Sequence, residues 1–271
     1  MIYSFPMRDF TLHTYNLLLT TLKQNGYRFQ TFRAFLNNPE KKCVILRHDV
    51  DFRKINSLLT SKLENDLGIA GTYFFRIVPG SFDIEVIKKI NSMGHEIGYH
   101  YEDLAMAKGN SDRAIETFLQ NLNVLREIVQ VDTICMHGSP LSRYDNRTLW
   151  DKYNYQDYGI IGEPYFDIDF NRVCYLTDSG RRWNGGAVSV RDKVPGRFAS
   201  SDSLNSNCAN FRSTFDIING ARKNNLPDSI MLTIHPQRWD NNFLPWLREY
   251  VWQNAKNIVK RKIADRELKR I

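Results

Sequence analysis

The 271-residue chain is poor in cysteine, and its four cysteines (Cys43, Cys135, Cys174, Cys208) stand singly. A dense disulfide framework and a CxxC zinc knuckle are therefore excluded. Cys43, Cys135 and Cys174 lie in apolar stretches and read as buried free thiols. No apolar run approaches the ~18 residues of a membrane span, and mean hydropathy is −0.45. Residues 1–9 hold a proline and both charge signs rather than an apolar leader, so the chain is expected to be cytoplasmic. No GxGxxG or Walker A segment is present, which removes the common nucleotide-binding forms of an open sheet. Repeats, low-complexity tracts and linkers are also missing, so residues 1–271 read as a single domain. With 42% apolar and 25% charged residues, disordered and coiled-coil classes are excluded.

Positive charge is in surplus, but locally. Of the net +7, the segment Lys256–Ile271 carries +5 from seven basic and two acidic residues. The other 255 residues therefore carry only +2. A basic terminal helix over 242–271 can touch anionic lipid peripherally, although such a run reads first as a solvated helix end. No basic-aromatic motif of a nucleic-acid module occurs elsewhere, and no nucleic-acid partner is expected.

What the chain has is alternation. Apolar, β-branched runs at 42–49, 71–78, 96–101, 132–137, 158–161, 172–177 and 229–235 read as strands. Helical patterns at 11–25, 54–67, 83–93, 111–129, 214–223 and 242 onward separate most of them, with a short helix near 146–151. Strands alternating with helices imply a parallel sheet covered by helices. The expected fold is a distorted (β/α)7-type barrel with an irregular insertion about 162–213, on which the N-terminal helix 11–25 and the basic C-terminal helix pack.

Chemistry-bearing residues gather at the carboxyl ends of these strands: His48, Asp49 and Asp51, then His100, His137 and His235. In parallel folds that rim is where ligand-binding and catalytic groups meet. Strand alternation puts Arg47, Asp49 and Asp51 on one face. Two close carboxylates repel unless a cation or proton intervenes. One can hold a metal while the other, beside Arg47, stays ionised as a base.

The segments "VILRHDVD" and "MGHEIGYHYEDL" resemble the polysaccharide deacetylase superfamily (NodB-like, carbohydrate esterase family 4), over roughly 44–235. "MHGSP" and "TIHPQRW" look closest to a branch found among bacterial surface-polysaccharide genes. The resemblance implies a distorted (β/α) barrel and a divalent metal, usually Zn2+, though another divalent ion would serve. It makes Asp49 the catalytic base, Asp51 and His100 metal ligands, and His235 the general acid. Two departures stand out. The second metal histidine expected four residues after the first is Leu104, and the family's Arg-Pro segment is replaced by 137–140. His137 is taken as the third ligand, because imidazole suits zinc, with Glu102 or Asp103 as alternatives. Arg47 takes the orienting role of the missing arginine.

Outside this set, His95, His48 and His13 read as structural or surface residues. Arg181, Arg182 and Trp183 combine guanidinium groups with an indole, as a sugar-stacking and anion-clamping loop would. Trp239 could wall the pocket. The expected activity is metal-dependent removal of an N-acetyl or N-formyl group from an amino sugar. Its setting would be surface-glycan (O-antigen, lipopolysaccharide or capsule) biosynthesis, with a small amino-sugar, nucleotide-sugar or lipid-linked substrate. An allantoinase-like hydrolase and an inactive glycan-binding protein are the alternatives. A DxD glycosyltransferase lacks its preceding nucleotide-binding half, and a haloacid-dehalogenase-like phosphatase would not place Arg53 four residues after its first aspartate.

Overall fold

The computed structural model describes residues 7–139, 142–183 and 211–268, with side chains to residue 258. One all-parallel sheet organises them. Its strands are β1 (Arg28–Gln30), β2 (Cys43–Val50), β3 (Thr72–Phe75), β4 (Glu96–Tyr101), β5 (Ile134–Met136), β6 (Cys174–Thr177) and β7 (Ser229–Ile234). The order is β5-β4-β3-β2-β7-β6, and β1 pairs with the first half of β2. Every residue of β2 is buried, as expected of a strand covered on both faces and written as a continuous apolar run.

The sheet curls. Strands in a sheet lie about 4.8 Å apart, so a flat sheet would hold β5 roughly three spacings from β2. Yet His137, just beyond β5, brings Nε2 to 3.5 Å from Asp51 Oδ1, just beyond β2. Among the described residues no ladder joins β5 to β6, so the barrel is distorted and open on that side.

Helices flank the sheet where the sequence places them: Leu12–Gln24, Lys54–Asp66, Ile84–Ser92, Ser111–Arg126, Thr214–Arg222 and Phe243–Leu268. Their starts follow from side-chain caps. Thr11 accepts from the Thr14 amide, Asp83 from Glu85 and Val86, and Ser213 with Asp216 forms a capping box. Tyr15, Leu18, Leu19 and Leu22 pack with Val44, Leu46, Leu232 and Ile234 on the outer face of β2 and β7. Ile87, Ile90, Phe118 and Leu122 cover β3–β5. At Gly98 a Cβ would stand 2.4 Å from the Phe74 ring. Only glycine lets that ring lie across β4 on the face that carries His100.

Three differences from the sequence reading emerge. The expected strand 158–161 is a 3-10 turn over Tyr155–Tyr158, followed by one parallel bridge between Thr133 and Gly162. β1 and the short helices Phe32–Asn37, Asp103–Met106 and Pro164–Asp167 were not expected. Of the expected insertion, residues 184–210 lie outside the described part. Cys43 and Cys135 are free and buried, whereas Cys174 is disulfide-bonded, not a free thiol.

Candidate active site

Parallel strands deliver their carboxyl ends to one rim, and the curl closes that rim around Asp51. Asp49 comes from β2 and Asp51 from just beyond it, His100 from β4, His137 from the turn after β5 and His235 from just after β7. Asp51 Oδ1 lies 3.5 Å from both His100 Nε2 and His137 Nε2, and Asp51 Oδ2 lies 3.9 Å from His235 Nε2. Gln237 donates to Asp51 Oδ2 at 3.1 Å. Asp51 Oδ1 is buried and accepts no hydrogen bond. Burial alone would raise the Asp51 carboxyl, but the close approach of His100, His137 and His235 holds it well below the usual range.

Each imidazole is oriented from its far side. His100 Nδ1 lies 2.9 Å from the Cys135 carbonyl and so must donate to it. In the neutral ring this leaves Nε2 as a lone pair facing Asp51. His137 Nδ1 lies 2.8 Å from Glu102 Oε2, and Arg76 grips the other Glu102 oxygen. Against burial, which pushes it up, the His137 hydrogen bond and Arg76 hold Glu102 down to about 2. His235 Nδ1 lies 2.6 Å from Asp178 Oδ1. Asp178 also accepts from the His235 amide, Arg238 and Trp239 Nε1. Burial opposes ionisation there, but Arg238 and His235 keep the Asp178 pKa low.

Asp49 is held differently. Arg47 donates to it twice, Nε to Oδ1 at 2.8 Å and Nη2 to Oδ2 at 2.7 Å, with both side chains almost fully buried. Burial would raise the Asp49 pKa, but Arg47 and His100 bring it below its ordinary value. Arg47 lies over the Tyr165 ring, which fixes the guanidinium plane.

Two donor sets are candidates for a metal. Asp49, His100 and Cys135 bring one donor atom each within 4.8 Å of one another. Asp51, His100 and His137 are a second candidate, with Asp51 3.5 Å from each imidazole nitrogen, although the three donors are not all within 4.8 Å of one another. Ligand atoms around tetrahedral zinc sit about 3.3 Å apart, from bonds of about 2.0–2.1 Å. Arg47 decides against the first set. A dication bound through Asp49 would sit beside a buried guanidinium that already occupies both carboxylate oxygens. Asp51, with its orphaned oxygen, fits a cation better.

The other sequence candidates sit elsewhere. Trp183 is fully buried between Phe10 and Trp239, donating Nε1 to Thr214. Arg181 is buried against the Phe10 and Trp246 rings and donates to the Trp246 carbonyl. Neither offers a face to a sugar, which corrects the stacking-loop expectation. Arg182 is half-buried and lies in the same loop. Trp239 is a fully buried prop for Asp178 rather than a pocket wall. His13 is exposed. His48 and His95 face away from the rim: His48 Nε2 meets Glu64 at 2.9 Å, and His95 bridges the Gly71 amide and the Ser61 carbonyl. Asp178, Arg76 and Gln237 carried no assigned role in the sequence. The signal for Asp178 was a carboxylate at the end of the strand beside the one that ends in His235.

No protein-family profile matches the chain, and no curated protein does. Among solved structures it is similar to a CE4 esterase from Streptococcus mutans. That match has 15% identity and a TM-score of 0.42, covering 90% of this chain and 91% of that one. It is also similar to the Xyl-CE4 domain of a multidomain xylanase from the hindgut metagenome of Trinervitermes trinervoides. Here identity is 11% and the TM-score 0.38, with 80% of this chain and 84% of that one covered.

Proposed function

We propose that the chain is a metal-dependent hydrolase that removes an acetyl or formyl group from the nitrogen of an amino sugar. The substrate class is a small, nucleotide-linked or lipid-linked amino sugar of bacterial surface-glycan (O-antigen or capsule) biosynthesis. One observation carries the reading. Asp51 Oδ1, buried and without a hydrogen bond, faces two oriented imidazole nitrogens, beside a second carboxylate neutralised by Arg47. The sequence motifs point to the same family of reactions.

Asp51, His100 and His137 would hold the metal, and Zn2+ suits one carboxylate and two imidazoles. When bound, such an ion polarises an acyl oxygen and makes water more acidic. The chain's own residues do the rest. Asp49, kept ionised by Arg47, takes a proton from the attacking water. His235, with Nδ1 held by Asp178, presents Nε2 to the rim and gives a proton to the departing nitrogen. Asp178 stabilises the imidazolium that this acid requires, and Arg238 and Trp239 keep Asp178 ionised. Proton transfers of this kind contribute about 10²–10⁴-fold each.

The test combines metal content by elemental mass spectrometry with amine release from N-acetyl and N-formyl sugars. About one zinc per chain is expected, lost in His100→Ala and in His137→Ala, with amine release abolished in Asp49→Asn while metal is retained. Zinc lost in Cys135→Ala but kept in His137→Ala would move the site to the Asp49 set. No metal after zinc is supplied, or bound metal without amine release from any N-acyl sugar, ends the deacylase reading and leaves a glycan-binding protein or another amide hydrolase.

A further inference from the structure

The helix Phe243–Leu268 is inside out. Among its described side chains, those it buries are Glu249, Gln253 and Asn257, spaced one turn apart. Outward lie Leu244, Leu247, Tyr250, Val251, Trp252 and Ile258, with Leu244 76% exposed. A surface helix ordinarily does the opposite. The inward polar face is anchored. Asn257 Nδ2 donates to the Gly180 carbonyl and Gln253 Nε2 to Glu249 Oε1, while Arg181 packs on the Trp246 ring. The helix therefore cannot turn its apolar face inward without breaking these contacts. That face also walls a cavity of about 740 Å³ against Phe52 and Arg53, the two residues that follow Asp51.

We infer that this face docks on an anionic lipid surface. Its apolar side chains enter the headgroup boundary, where Lys256 meets the headgroup phosphates. Charge selects this occupant. By sequence the helix carries five basic and two acidic residues over 256–268, a surplus that complements anionic lipid and would be concentrated rather than neutralised against a second copy of itself. The aromatic content fits as well, because Trp and Tyr favour the membrane interface, and Lys256 lies over the Trp252 ring at 5.0 Å. Docked in this way, the helix sets the rim that begins at Asp51 beside the lipid headgroups.

The experiment is co-sedimentation of the full chain with vesicles of phosphatidylcholine alone or with about 30% phosphatidylglycerol. The comparison is the double variant Leu244→Glu/Val251→Glu, whose positions are exposed and leave the fold intact by circular dichroism. Wild type is expected to bind the anionic vesicles, to weaken as salt rises, and to prefer them to neutral ones by about fivefold per engaged cation. The double variant should lose at least about tenfold in partitioning. Absence of wild-type binding to anionic vesicles overturns the inference, as does binding that the double variant retains in full. A wild-type dimer in sedimentation velocity that the double variant dissociates would assign the face to a second copy instead. None of these outcomes alters metal content or amine release, so the reading of the site stands or falls separately.

Discussion

Glu163 is fully buried behind the turn that carries His137, and its environment makes it a titrating group near neutrality. Its Oε1 accepts from the Met136 amide at 3.0 Å, and its Oε2 from the Tyr165 amide. Burial raises its pKa from 4.5 to about 7, even though these amides and the Arg47 and Arg147 charges pull the other way. A group whose folded pKa is raised contributes stability that is present below its unfolded pKa and lost as pH climbs through the folded one. Over that range the native state holds a proton that the unfolded chain has released. At about 1.36 kcal/mol per pH unit of displacement, the full loss is about 3 kcal/mol, of which about 2.5 falls between about pH 5 and pH 8. Glu163→Gln keeps the shape and removes the titration, at a fixed hydrogen-bonding cost that does not vary with pH. Urea unfolding of both proteins at about pH 5 and pH 8 gives the difference directly. The wild type should lose about 2.5 kcal/mol more than the variant on going to pH 8. Stabilities that change in parallel, within about 1 kcal/mol, would refute the argument that Glu163 is held neutral by burial.

Three further outcomes follow from other buried groups. Arg47→Met leaves Asp49 buried without its counter-ion and should cost about 3–5 kcal/mol in chemical denaturation; a loss under about 1 kcal/mol would mean that Asp49 finds another partner. Tyr15→Phe removes the 2.7 Å hydrogen bond to Glu64 and should cost about 1–3 kcal/mol, as leaving a buried acceptor short of a donor does; an unchanged melting temperature would show that Glu64 does not depend on it. Titration of the denatured chain without reductant should find two free thiols, Cys43 and Cys135, rising to four after reduction; four at the outset would remove the disulfide at Cys174.

The rim was readable in the sequence because its logic is local. Residue type and strand end suffice to gather Asp49, Asp51, His100, His137 and His235, since parallel strands share one carboxyl edge. Their partners were not readable, because partnership depends on strand order. Asp178 serves His235 only because β6 lies beside β7, and Arg76 reaches Glu102 only because β3 lies beside β4. β1 escaped because three residues cannot display an alternation, and 158–161 was overread because Gly159 adopts a positive φ of 70° that ends the run.

Burial is the other non-local quantity, and it explains the residues placed in the wrong role. An arginine and an indole in a glycine-containing loop have the composition of a sugar clamp, and also that of a packed anchor. Only the enclosure of Trp183 by Phe10 and Trp239, and of Arg181 by Phe10 and Trp246, separates the two. Periodicity fails in a related way, because it finds a core face only when that face is apolar. The helix Lys54–Asp66 turns Ser57, Thr60, Ser61 and Glu64 inward, since what it covers is the hydrogen-bonded cluster of Tyr15, His48 and Tyr73 around Glu64. The helix Phe243–Leu268 also buries a polar face, but there the apolar residues lie outward. Where an inverted pattern is compensated by buried hydrogen bonds, as at Glu64, the fold accounts for it. Where it leaves Leu244, Val251 and Trp252 facing outward, the compensation must come from whatever meets that face.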